Sequence, residues 1–220
     1  MAIFETLTPA ERARQLANPD GEIGIAVADW LNENNKQANT RVVEALAIGA
    51  GHHVLEIGFG NGRSVPIVMA QAAGVRYAGI DISPTMVAEA SRFNAELVQA
   101  GKARFHLAFA HEMPFADVTF DRIFSIGVIH FWTEPLASLS EVRRVLRPGG
   151  VMFMGCLAPK DAPDFAQKQY GFHLRDASEW DGLCRSAGFA DTDVQTVVSD
   201  QTTPGGAPIK RYSIRMCARA

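Results

Sequence analysis

"VLEIGFGNGRS", residues 54 to 64, runs from an apolar stretch into three alternating glycines and then into Arg63 and Ser64. Glycine allows positive φ and a close approach to the backbone, so the stretch raises the question of what the loop approaches. A dinucleotide-binding turn wants glycine at the first, third and sixth positions, here Gly58, Gly60 and position 63. Position 63 is Arg63 and the third glycine falls at Gly62, so the close helix contact of that fingerprint is not provided for. A Walker-type phosphate loop is missing as well, since no Gly-Lys-Ser/Thr follows. Both phosphate readings weaken.

What remains is a strand-to-helix turn with backbone N–H groups at the start of a helix, where partial positive charge suits a carboxylate. Glu56, inside the apolar run, supplies the negative charge that a ligand ammonium would want. Asp81 ends the next strand-like run, "YAGID", where an acidic side chain typically accepts hydrogen bonds from ribose hydroxyls. An amino acid at one end and a nucleoside at the other describe S-adenosylmethionine, which carries no phosphate.

The rest of the chain supplies a frame for this loop. "HVLEIG" (53–58), "YAGID" (77–81), "RFHLAFA" (104–110), "FDRIFSIG" (120–127) and "VMFMGCL" (151–157) are short apolar runs of the kind that buried parallel strands show. Helical patterns alternate with them. In "DISPTMVAEASRF" Ser83 caps, Pro84 suits the first turn, and Met86, Ala90, Phe93 and Leu97 share a face before Gly101 ends it. "EPLASLSEVRRVL" places Leu136, Leu139, Val142 and Leu146 inward and ends at "RPGG", read as a turn into the next strand. Two final runs, 193–200 and 211–219, flank the Gly/Pro-rich "QTTPGGAPIK" and read as a hairpin. The fold class is therefore α/β: a doubly wound, mostly parallel seven-stranded Rossmann-like sheet ending in an antiparallel hairpin. Residues 1–44 read as an N-terminal helical cap with Asn-rich interruptions, placed over the site, and 45–220 as the ligand-binding domain.

Composition bounds the function. With 24 acidic and 21 basic residues the net charge is −3, which gives no electrostatic footprint for nucleic acid. No apolar run reaches the roughly 18 to 20 residues of a membrane span, and "MAIFETLTPAERAR" has no signal-peptide pattern, so a cytoplasmic location is expected. Cys156, Cys184 and Cys217 are odd in number and widely spaced, which suits reduced, mostly buried thiols. His52, His53, His106 and His173 have no metal-ligand spacing, and no metal is expected.

Four ordered motifs, "VLEIGFGNG", "GIDIS", "MPFADVTFDRIFSIGVIHFW" and "EVRRVLRPGG", followed by "AGF", resemble the class I S-adenosylmethionine-dependent methyltransferases of the ubiquinone-biosynthesis-like (type 11) group. The resemblance covers residues 45 to about 200. It implies a loop of Gly58, Gly60, Asn61 and Gly62 around the methionine part, with Glu56 as its nearby acid. It makes Asp81 the ribose anchor, Ile82 a wall of the adenine slot, Ala110 and His111 its neighbours, and Ile126 a contact near the transferring methyl. Family members often have an acid at the position of Phe109 to hold the adenine amino group; here His111 or a backbone carbonyl takes that part.

The expected reaction is in-line transfer of a methyl group to a small-molecule acceptor, leaving S-adenosylhomocysteine. His130 is the candidate base for a weakly acidic hydroxyl. The acceptor side is expected from the N-terminal cap, the segment after His130 and residues 158–173, with Trp30, Phe131, Trp132, Phe165, Tyr170 and Phe172 suiting a partly apolar or aromatic molecule. Plainer roles compete: chain turning for the glycines, local capping for Glu56 and Asp81, a pocket wall for His130. Two rival functions are a nicotinamide-dependent oxidoreductase and a methyltransferase-like partner protein without catalysis.

Overall fold

The computed structural model describes residues 3–202 and 208–220. Its strands are β1 (His53–Ile57), β2 (Arg76–Asp81), β3 (Ala103–Leu107), β4 (Phe120–Ile126), β5 (Leu146–Leu157), β6 (Asp191–Thr202) and β7 (Pro208–Arg219). Its helices are α1 (Ile3–Thr6), α2 (Pro9–Ala17), α3 (Gly21–Ala45), α4 (Val65–Met69), α5 (Pro84–Phe93), α6 (Ala95–Gln99), α7 (Pro135–Val145) and α8 (Ala177–Ser186). The strands form one sheet in the order β3-β2-β1-β4-β5-β7-β6. It is parallel from β3 to β5, and β7 runs antiparallel between β5 and β6. The expected fold class is the observed one. Residues 203–207, at the expected hairpin turn, lie outside the described residues.

Alternation along β1 shows why its sequence is apolar throughout. Val54 joins Val43, Leu46, Val65 and Val68 on the face covered by α3 and α4. Leu55 and Ile57 point the other way, toward Leu139 and Val142 of α7 and Trp180 of α8. A strand buried on both faces has no polar side to show. Glu56, in the middle of this strand, is therefore an exception that needs partners.

Four local expectations are corrected. The Asn-rich stretch does not interrupt the N-terminal helices: α3 runs unbroken for 25 residues. The amides of Asn32 and Asn34 donate to the carbonyls of Ala28 (2.8 Å) and Trp30 (2.7 Å), one turn back, so their polar groups are met within the helix. The helix after Asp81 breaks at Asn94, whose side chain donates to Ala90 O and across to Gly62 O. Ser83 caps α5 as expected, accepting from Met86 N, but Phe93 is 42% exposed under the Arg63 guanidinium, 3.8 Å from its ring centre. Leu136 is exposed too, while Leu139, Val142 and Leu146 are buried. Finally, "RPGG" is no turn between elements. α7 passes directly into β5, and 147–150 bulge out between the pairs Phe120↔Leu146 and Arg122↔Val151.

Candidate functional site

The sheet order reverses at β1 and β4, and in open α/β sheets ligands bind beyond the C-terminal strand ends at such a point. The glycine loop follows β1, Asp81 and Ile82 lie at the end of β2, Ala110 and His111 follow β3, and Ile126 ends β4. Contacts tie these ends together. Gly58 N–H donates to Ile80 O (2.8 Å), Ala108 N–H to Asp81 O (3.0 Å), and Gly60 N–H to the Asp81 carboxylate (3.0 Å).

The three glycines do different work. All have positive φ, +74°, +56° and +74° for Gly58, Gly60 and Gly62. A Cβ on Gly58 would lie 2.3 Å from Val128 Cγ2, and one on Gly62 2.8 Å from both Ala90 Cβ and Asn94 Nδ2. Only at Gly60 would a Cβ meet nothing within 4 Å. Gly62 therefore permits the close helix packing that its sequence position had seemed to rule out, with α5 as the partner helix. Gly60 is the open face of the loop.

Glu56 sits beneath this loop, 6% exposed. Its Oε2 accepts from Ser64 Oγ (2.5 Å) and from Tyr77 Oη (2.7 Å) on β2. Burial pushes its carboxyl up to about 7, against the opposing pull of these two donors. Ser64, at the cap position of α4, makes no side-chain cap bond because its hydroxyl is committed to Glu56. α4 is only five residues long, so its dipole is weaker than a longer helix would provide. Asn61 turns its side chain away from the strand ends: Nδ2 donates to Asp29 (2.8 Å) and Oδ1 accepts from Asn32 Nδ2 (2.6 Å), both on α3.

Asp81 is 8% exposed, and burial raises its carboxyl to about 6 although Ser83 and Gly60 N–H groups hydrogen-bond it. Its two oxygens each accept one of these backbone donors. A carboxylate has about four acceptor positions, so with the backbone of Ser83, Gly60 and Ile82 bonded to it Asp81 still has room for a further donor such as a ribose hydroxyl. Beside it stand exposed apolar side chains: Ile82 (38%), Leu107 (58%) at the end of β3, and Phe109 (56%). The Phe109 ring lies over His111 at 5.3 Å, tilted 25°. A buried acid with an open glycine on one side and exposed apolar side chains on the other fits a nucleoside joined to a small polar tail.

His130 lies in a short 3-10 turn, residues 129–131, just past β4. Its ring stacks on Phe172 (5.0 Å, 7°) and touches Phe131 (4.4 Å), and its Nδ1 is buried without a hydrogen-bond partner. Burial lowers its pKa to about 3, so the ring is neutral. The rings continue outward from Phe172 to Phe165 (6.2 Å), Phe4 (5.7 Å from Phe165) and Trp30 (4.5 Å from Phe4, stacked). The N-terminal helices thus meet residues 158–173 through Phe4 and Phe165. Trp132 instead packs into the main core against Trp180, and Tyr170 belongs to the cluster around Phe172.

Sequence reasoning missed Tyr77, Asp29, Asn32 and Leu107. Tyr77 had a usable signal, because a hydroxyl and a carboxylate in two neighbouring buried strands each need a partner. The α3 residues had none, since a contact spanning some thirty positions leaves no local pattern.

Comparison with known proteins agrees with this geometry. The methyltransferase domain family matches residues 55–154. The chain is 37% identical over 111 residues to O-methyltransferase resE of Aspergillus sclerotiorum, covering 50% of this chain and 42% of that protein. It is 29% identical over 193 residues to erythromycin 3''-O-methyltransferase of Saccharopolyspora erythraea, covering 79% and 62%. The chain thus spans about half the length of such curated relatives. Among solved structures, a Haemonchus contortus phosphoethanolamine N-methyltransferase 2 in complex with S-adenosylhomocysteine shares the fold, with a TM-score of 0.75 at 16% identity over 97% of this chain and 60% of that one. No described helix is long and apolar enough to cross a membrane. Fold, motif order and relatives agree, and they replace the oxidoreductase reading: residues 55–154 match a methyltransferase domain, and the chain is similar to O-methyltransferases.

Proposed function

We propose that the protein transfers a methyl group from S-adenosylmethionine to a hydroxyl of a small, partly apolar or aromatic acceptor. The observation that carries the donor half is the bond from Gly60 N–H to Asp81 (3.0 Å), which sets an acid with spare acceptor positions against the open glycine of the loop. Gly58, Gly60, Asn61 and Gly62 form the turn around the donor's amino-acid part, braced from below by Glu56. Asp81 takes the ribose hydroxyls, and Ile82, Ala110 and His111 face the base, with Leu107 and Phe109 added to that shelf. Ile126 stands at the end of β4 between donor and acceptor. The hydroxyl follows from the relatives, among them O-methyltransferases of fungi and actinobacteria. Three free cysteines support a reducing, cytoplasmic location, and residues 1–44 act as a cap on the catalytic unit 45–220.

When bound, S-adenosylmethionine supplies an electrophilic methyl on a sulfonium that is already a good leaving group. What the chain must add is alignment and exclusion of water. The aromatic rings from Trp30 to His130 provide a dry wall for a flat acceptor. His130, neutral and with an unmet Nδ1, can accept a hydrogen bond from the acceptor hydroxyl and hold it in line. A base whose pKa is near 3 removes little proton from a free hydroxyl, but an oxygen gaining a methyl becomes far more acidic than such an imidazolium. His130 therefore receives the proton late in the transfer.

Calorimetry with S-adenosylhomocysteine and NADH, followed by transfer of labelled methyl to a panel of hydroxyl, amine and thiol compounds, tests the proposal. Binding of S-adenosylhomocysteine with label on hydroxyl compounds is the expected result. Label confined to amines or thiols overturns the acceptor class. Tight binding with no transfer to any of them returns the protein to a non-catalytic role.

A further inference from the structure

The N-terminal half of α3 grips both flanks of the candidate donor site. Asp29 and Asn32, three residues apart and so on one helix face, take both polar ends of the Asn61 side chain, at 2.8 and 2.6 Å. Asn61 is 3% exposed, so this is an inward contact. Asp29 also pairs with Arg63 at 3.4 Å, and Arg63 covers Phe93 at the end of α5. On the other flank, Ser83 Oγ donates to Pro19 O, Gly21 N–H to Thr85 Oγ1 (3.3 Å), and Thr85 Oγ1 to Asp20 (3.2 Å). Ser83 is the same residue whose N–H holds Asp81 (2.9 Å).

Gly58 and Gly62 are fixed by what they pack against, while Gly60 faces open space. The middle of the loop, at Gly60 and Asn61, therefore takes its shape from three outside bonds: one to Asp81 on one side and two to α3 on the other. We propose that Asp29, assisted by Asn32, is a positioning residue for the donor site, acting through Asn61 to hold the glycine loop in the shape that admits S-adenosylmethionine. Helix α3 and the donor are then coupled: whatever seats the helix tightens the donor, and the donor seats the helix to the same degree. Because α3 also carries Trp30 in the aromatic wall, the same helix links the donor loop to the acceptor side.

This rests on reading the glycine loop as the donor site, and the test separates the two. S-adenosylhomocysteine affinity is measured by calorimetry for the wild type, Asp29→Ala, Asp29→Asn, Asn32→Ala, Asn61→Ala and the Asp29→Ala/Asn61→Ala double variant. Melting curves of the ligand-free proteins establish folding. Asn at position 29 keeps the acceptor oxygen for Asn61 and loses only the charge toward Arg63. Asp29→Ala is expected to weaken binding roughly three- to tenfold, the range of one or two net hydrogen bonds, with Asp29→Asn within twofold of wild type. The double variant should be no weaker than the weaker single one. Asn32→Ala, which removes one arm of the grip, supplies the answer where Asp29→Ala fails to fold. Hydrogen exchange should also show ligand-induced protection of residues 21–34 that is lost in Asn61→Ala.

Equal affinity of folded Asp29→Ala or Asn32→Ala and wild type overturns the inference and leaves Asp29 as glue between helix and loop. Additive losses in the double variant do the same. A wild type that fails to bind S-adenosylhomocysteine overturns the donor-site reading beneath it.

Discussion

The two sides of the candidate site are built from different materials. The donor side is made of backbone: positive-φ glycines, amides on Asp81, and strand ends in fixed register. The proposed acceptor side is made of rings contributed by α1, α3, the turn after β4 and residues 158–173, segments far apart in the chain. A backbone site demands particular residue types at particular spacings, because few residues tolerate the dihedrals. A packed aromatic wall asks only for apolar volume, which many sequences supply. The first is rigid in kind and the second replaceable.

Substitution at Gly62 should show this contrast most strongly. Gly62→Val sets a branched side chain against Ala90 and Asn94 at φ +74°, and a stability loss of about 3 kcal/mol or more is expected from strain and overpacking together, read by urea unfolding. Gly60→Ala, with open space in front of it, should cost only about 1 to 2 kcal/mol of left-handed strain while weakening S-adenosylhomocysteine. Equal stability losses at the two positions would erase the distinction between packed and open glycines.

On the acceptor side, His130→Phe keeps the stack on Phe172 and removes the nitrogens. Turnover should fall by up to about a hundredfold with donor affinity unchanged; unaltered kcat would leave His130 as wall alone. Asp81→Ala is the mirror experiment, expected to weaken S-adenosylhomocysteine by roughly 1.5 to 3 kcal/mol. An unchanged dissociation constant would take the ribose anchor away from Asp81.

The two sides also differ in pH dependence, where they have opposite signs. His130 has a folded pKa near 3, below its ordinary 6.5, so its share of stability is complete above pH 6.5 and drains as pH falls toward 3. Glu56 is raised from 4.5 to about 7, so its share is complete below pH 4.5 and is lost as pH rises through 7. Each limb has a ceiling of about 1.4 kcal/mol per pH unit. Melting temperatures across pH 4 to 8 should flatten on the acid side in His130→Phe and on the neutral side in Glu56→Gln. Parallel curves for variant and wild type would show that neither group is held as its burial implies.

The same contrast decides what could be read in advance. The sheet, its hairpin, the place of Glu56 within β1 and the strand-end positions of Asp81 and Ile126 were legible because apolar runs and glycine spacing are local properties. The separate duties of Gly58, Gly60 and Gly62 were not, since they depend on Val128 and Ala90 arriving from elsewhere. Asn-rich composition suggested a broken N-terminal helix, but side-chain bonds one turn back kept α3 whole. Phe93 and Leu136 fit an apolar stripe by period yet face outward, because period alone does not say how wide a face the sheet covers.

One further property comes from the terminal hairpin. β7 pairs with β5 only over Ser213–Arg219, whereas it pairs with β6 over its full length, so 198–202 and 208–212 continue as a two-stranded ribbon beyond the last residue of β5. That overhang projects on the same edge as the site, where Lys160 rests on the Tyr212 ring at 4.4 Å. At about 3.4 Å per residue it reaches some 17 Å past the sheet. Lengthening or trimming it by residue pairs leaves every bond between β5 and β7 in register. The length of this ribbon can therefore change while the register that places the strand ends of the candidate site stays fixed.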